Sequence, residues 1–255
     1  MSAILEAPTT IIYPSSDGKP MAETGIHVRA IHLLFELLEE FFRDRPDVFL
    51  AADMFWYWKE GRTKTTAPDV MVVPGVGKRT RRSFFSWQEG GAVPAAVFEM
   101  ASESTWRKDL DTKRRLYERR GVKEYFIFDP EELYLRPRLL GFRLYGNRYR
   151  AMFAAEGRLS SDLGFDLHAE GQVLRLYDRT TGRMIPTRLE KVDLAETNAL
   201  NELQKARRAV EVAQRAVESA QRAEAETHSE RRRADILALE IERLKALLAS
   251  QGTPS

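Results

Sequence analysis

No cysteine occurs anywhere in the 255 residues. That single absence removes disulfides, thiolate catalysis and cysteine-ligated zinc or iron–sulfur centres. Histidine is almost as scarce: His27, His32, His168 and His228 are scattered, and the nearest pair, at i and i+5, is not a zinc spacing. No apolar stretch nears the roughly 20 residues that a membrane-spanning helix needs. The first residues lack a basic patch followed by a long apolar core, so no secretory leader is read and the expectation is a cytoplasmic protein without a membrane partner. Net charge is small as well. Lys+Arg number 40 and Asp+Glu 38, a formal +2, so contact with nucleic acid has to arise from local clustering.

What is present suffices for a core. Hydrophobic residues make up 43% and aromatics 10%, which at this length suits one sizeable domain with an appendage. Residues 1–20 hold prolines, serines and Asp17-Gly18 and read as a loosely ordered lead-in. Over residues 22–42 the positions Ile26, Ala30, Leu33, Leu34, Leu37, Leu38 and Phe41 keep a helical period, which Pro46 ends. Residues 48–58, rich in β-branched and aromatic side chains, predict one strand. The short continuous apolar runs 69–73 and 95–100 suit strands buried on both faces. A helix over 106–120 ends at Gly121, a strand follows over 124–128, and two hairpins span 139–153 and 165–177. The order predicts an α/β core with antiparallel additions, filling residues 21–190.

Composition changes after about Val192, where Ala, Glu, Arg and Gln dominate. Leu203, Val210 and Val217 recur every seven residues, with Ala206, Ala213 and Ala220 three positions later, forming an a/d seam. The pattern lapses around residues 224–233. It resumes with Ala234, Ile241 and Leu248 at one position and Leu237 and Leu244 at the other, offset by three residues as a stammer. Residues 191–250 therefore predict a coiled-coil helix that pairs subunits or recruits a partner protein, and 251–255 a disordered tail.

Three charges stand where apolar residues are expected. Asp69 opens the run Asp69-Val70-Met71-Val72-Val73, and Glu99 closes Ala95-Ala96-Val97-Phe98-Glu99-Met100. Lys113 falls on the apolar stripe Trp106, Leu110, Lys113, Tyr117. Buried charge costs several kcal/mol unless it is compensated. Asp69 and Glu99 are hard oxygen donors suited to Mg²⁺ or Mn²⁺, and a lysine beside them can position a water or stabilise charge on a phosphodiester. Taken singly, each has a bland explanation: a turn acid, an exposed strand end, a snorkelling lysine. Lys78, Arg79, Arg81 and Arg82, with Phe84, Phe85 and Trp87 behind them, form a basic loop suited to a phosphate backbone.

The segments Pro68-Asp69-Val70, Phe98-Glu99-Met100-Ala101-Ser102-Glu103-Ser104-Thr105, then Asp109, Lys113, Tyr117, Gly121-Val122-Lys123-Glu124-Tyr125 and Asp129-Pro130 resemble the Uma-two family, of the PD-(D/E)XK nuclease superfamily. The resemblance covers most of residues 10–180 and is most specific over 95–130. It implies a restriction-endonuclease-like core, a mixed sheet flanked by helices, and Mg²⁺- or Mn²⁺-dependent hydrolysis of DNA with a metal-activated water. Asp69 and Glu99 take the places of the two motif acids and metal ligands. Ala101 stands where the motif lysine would be, so Lys113 on the following helix supplies it. Ser102-Glu103-Ser104-Thr105 departs from the family's Ser-Pro-Ser-Thr, which bears on loop geometry. Glu23 resembles an accessory catalytic acid, or serves as a first-turn acid favouring the helix dipole. The alternative function is an inactive nuclease-like module that binds nucleic acid or protein and assembles through its coiled coil.

Overall fold

The computed structural model describes residues 24–61 and 64–251, the side chains of 248–251 excepted. The lead-in 1–20 and most of the tail 251–255 lie outside that range. The described chain divides into two units, one running to Glu190 and one starting at Lys191.

The first unit opens with α1 (Gly25–Phe41). Thr24 caps it, its Oγ1 accepting from the His27 N–H at 3.2 Å. At the other end Lys78 Nζ donates to the carbonyls of Phe42 and Arg43, at 2.6 and 3.1 Å, where a cation complements the helix dipole. Then come β1 (Val48–Ala52), β2 (Trp56–Tyr57), β3 (Val70–Pro74), β4 (Phe84–Phe85) and β5 (Ala96–Met100). The single strand expected over 48–58 is two. Asp53, at φ 46, turns the backbone between them, and its N–H bonds the carbonyl of Asp69 at 3.2 Å.

After β5 the chain crosses over through α2 (Trp106–Lys108), a π-helical turn (Asp109–Lys113) and α3 (Arg114–Arg120), one continuous helix ending at Gly121 with φ 81. Glycine takes that left-handed conformation without steric cost. β6 (Glu124–Phe128) follows, parallel to β5. The remaining strands are β7 (Leu139–Tyr145), β8 (Arg148–Ala151), β9 (Arg158–Ser160), β10 (Phe165–Glu170) and β11 (Val173–Asp178). The main sheet has the order β1-β3-β5-β6-β7-β8, antiparallel except for the β5–β6 pair. β9, β10 and β11 form a second antiparallel sheet, and β2 pairs in parallel with β4.

Alternation along the central strands sends residues to two cores. Val70, Val72, Phe98, Met100, Phe126 and Phe128 pack with α1 and the β9–β11 sheet. Met71, Val73, Val97, Tyr125 and Ile127 pack on the opposite face with Tyr117, Trp56 and Phe84. Both faces are covered, which is why β3, β5 and β6 read as continuous rather than alternating apolar runs, interrupted only by Glu99 and Glu124. Each fully buried side chain of this size contributes roughly 1.5–3 kcal/mol. The architecture is the mixed α/β core with added hairpins expected from the sequence. The second unit continues α4 (Arg188–Gln251), a helix of 64 residues. Among the described residues no helix is long and apolar enough to cross a membrane.

Candidate active site

Parity places the chemistry. Asp69 and Glu99 share the odd-numbered face of β3 and β5, the one under the crossover helix, and continuing the ladder from Val70–Phe98 sets Asp69 opposite Glu99. Glu99 is 1% exposed. Its Oε2 accepts from Lys113 Nζ at 2.8 Å and its Oε1 from Tyr117 Oη at 2.6 Å. Lys113 Nζ also lies 3.1 Å from Oδ1 of Asp109, an ion pair whose alignment falls short of a hydrogen bond. Asp69 Oδ2 accepts from the Met100 N–H at 2.6 Å and stands 3.7 Å from Nε2 of the buried His27. The structure thus brings Asp69, Glu99 and Lys113 to one place.

Three acids around one ammonium set the electrostatics. Burial pushes the Asp69 carboxyl well above the usual range and Glu99 adds to that, while Lys113 and the Met100 N–H oppose it. Asp109 is raised from 3.8 to about 6, again chiefly by burial and partly by Glu99. Asp53 moves up through burial, with His32 and Lys113 opposing. Burial alone would lower Lys113. Glu99, Asp109 and Asp69 outweigh it and hold the amine above the ordinary lysine value, so it is an ammonium at neutral pH. Tyr117, raised by burial and then by Glu99, keeps its proton and donates it.

Other buried acids of the domain are satisfied differently. Asp129 accepts from four backbone N–H groups, those of Glu131, Glu132, Tyr134 and Leu135. Glu124 is met by Arg143, Ser161 and the Asp162 N–H. Near Lys113, by contrast, three carboxyls share a single ammonium and two of them are raised by burial, the kind of cluster that marks a candidate functional site.

Residues 5–172 match the Uma2 family, described as "Putative restriction endonuclease". The chain belongs to the Uma2 family. It is also similar to the crystal structure of a "putative nuclease" from Anabaena variabilis, at 12% identity and a TM-score of 0.44, over 57% of this chain and 76% of that one. No curated protein matches.

For a Uma2 member, the loop Ser102-Glu103-Ser104-Thr105 still closes tightly: Thr105 and Trp106 donate their N–H groups to the Ser102 carbonyl at 3.2 and 3.0 Å. The basic loop is largely engaged in the fold. Lys78 caps α1, Arg79 and Arg81 both bind Glu89, and Arg81 also lies over the Phe49 ring at 4.2 Å. Arg82 is exposed. Glu23 lies outside the described residues. Asp109, Tyr117, Asp53 and His27 complete the surroundings and were not singled out as site residues. The signals for two of them were present: Asp109 lies four residues before Lys113, and Tyr117 shares its stripe.

Proposed function

We propose that this chain is a divalent-metal-dependent endonuclease that hydrolyses DNA phosphodiester bonds. The observation carrying this reading is the ion pair of half-buried Lys113 with buried Glu99, with Asp69 next to it at the start of the adjoining strand. Among the described residues no group of three or more His, Asp or Glu side chains stands at ligating spacing. Two carboxylates with hard oxygen donors fit Mg²⁺ or Mn²⁺, since Mg²⁺ is commonly held by one or two carboxylates together with water and substrate phosphate. Asp69 and Glu99 would hold the ion. Once bound, it supplies Lewis-acid polarisation of the phosphate and an acidified water.

The chain's own groups supply the rest. The Met100 N–H fixes Asp69 Oδ2 and thereby orients the carboxylate. Tyr117 does the same for Glu99. Lys113 is a permanent cation here, so its part is to orient the attacking water and stabilise charge developing on the phosphate oxygens, not to accept a proton. Removing one such preorganised donor typically costs about 10²–10³ in rate. Supercoiled plasmid incubated with Mg²⁺ or Mn²⁺ tests this. The wild type should nick or linearise it, whereas D69N, E99Q and K113A should do so at least about 100-fold more slowly; cleavage near the wild-type rate in any of the three removes that residue's role.

One observation favours a second reading, a module that binds nucleic acid or protein without turnover: both oxygens of Glu99 already accept hydrogen bonds. Calorimetric titration with Mg²⁺ separates the two. The enzyme reading requires heat that vanishes in D69N, and the binding module requires none.

A further inference from the structure

α4 is 64 residues long, about 96 Å at the α-helical rise. From residue 192 to 247 its side chains are exposed, among them Leu203, Val210, Val217, Leu237, Ile241 and Leu244. A solitary helix leaving these in water would be held by propensity alone. They lie on heptad seams: in the first, Leu203, Val210 and Val217 occupy a and alanines occupy d; in the second, Ile241 occupies a, with Leu237 and Leu244 at d.

We propose that α4 pairs with α4 of a second copy of this chain, as a parallel, in-register, two-stranded coiled coil. The charges flanking the seams choose this occupant and this direction. Glu202 and Glu240 fall at g, and Arg207 and Lys245 at the following e positions. A parallel pair in register sets each g glutamate against the other copy's e cation, so symmetry gives four opposite-charge contacts. An antiparallel pair sets g against g and e against e, bringing Glu202 towards Glu240 and Arg207 towards Lys245. Five residues apart, neither pair can close within one helix. Glu202 does bond Lys205 of its own helix at 2.7 Å, an exposed contact that can exchange.

The seam residues agree on stoichiometry. In the second seam β-branched Ile241 at a stands between Leu237 and Leu244 at d, the combination that favours two strands, and in the first seam β-branched Val210 and Val217 hold a beside the alanines at d. Between the two seams Glu224 and Arg231 fall at a positions of the first, where identical charges would meet. The pair loosens at the stammer and is held on either side of it. Parallel pairing puts the two N-terminal units at the same end of the stalk. The assembly itself does not depend on the nuclease reading.

The full chain tests it. Sedimentation at micromolar concentration should give twice the 29.3 kDa chain mass. The chain has no cysteine, so single variants A206C and L237C report direction: each should cross-link to itself on oxidation. E240K should raise the dimer dissociation constant at least several-fold, and E240K/K245E should restore it, because the swapped pair again meets with opposite charge. Both substitutions lie on an exposed surface, so folding is not at stake. A monomer, a trimer or larger species, or self-cross-linking by neither cysteine variant would each overturn the proposal, as would failure of the double swap to rescue.

Discussion

Replacing Lys113 by methionine keeps the stem of the side chain and removes its charge. Among the described residues, Lys113 supplies the only cation within ion-pair distance of Glu99 and Asp109, which are 1% and 0% exposed. Leaving a buried charge unpaired costs about 3–5 kcal/mol. Asp109 can escape part of that by taking up a proton, and this gives the deficit a pH signature. Asp109 already titrates at about 6 rather than 3.8. A carboxyl raised on folding binds its proton more tightly in the folded state, so its stabilising contribution is complete below about pH 4 and is lost as pH climbs through 6. Lys113 lowers both Asp109 and Asp69. Its removal raises both further and extends the window of loss towards higher pH, each added unit being worth about 1.4 kcal/mol. K113M should therefore be less stable than the wild type by about 3 kcal/mol at pH 8 and by about 1 at pH 5. Urea titrations at both values, with unchanged m, measure this. A deficit that does not vary between pH 5 and 8, or no deficit at all, refutes the argument that Lys113 neutralises buried carboxylates.

Tyr117→Phe removes a 2.6 Å hydrogen bond to buried Glu99 and should cost about 1.5–3 kcal/mol in urea unfolding; in plasmid cleavage kcat should fall with KM little changed. Asp129→Ala strips the acceptor from four backbone N–H groups and should cost several kcal/mol, while the activity of the folded fraction stays at the wild-type level. Gly141→Ala places a Cβ 2.9 Å from both Leu159 Cδ1 and Met152 Sδ, so overpacking of about 1–3 kcal/mol should appear as a lowered Tm.

The central strands were legible because burial on two faces leaves no charged residue in β3 and only Glu99 and Glu124 in β5 and β6. Lys113 stood out for the converse reason, a charge on a stripe that had to face the sheet. Asp109 was within reach of the same argument: it lies four residues before Lys113, and the folded chain keeps that relation as a 3.1 Å ion pair inside the π-helical turn. Asp53 was hidden because a positive φ at a non-glycine residue leaves no trace in an alternating pattern. The surroundings of the basic loop were not legible either. Four cations close in sequence suggest a surface for phosphate, but only the folded chain reveals that Glu89 and the end of α1 meet three of them.

Glu99 and Lys113 belong to a single crossover unit: β5 carries the acid, and the helix leading to β6 carries the amine. Their spacing is set by one contiguous stretch of backbone, 14 residues apart. A circular permutant opened in the Gly146–Asn147 turn keeps that stretch whole. One opened at Glu103 severs the short tether between them and leaves the pair to be rebuilt by long-range docking.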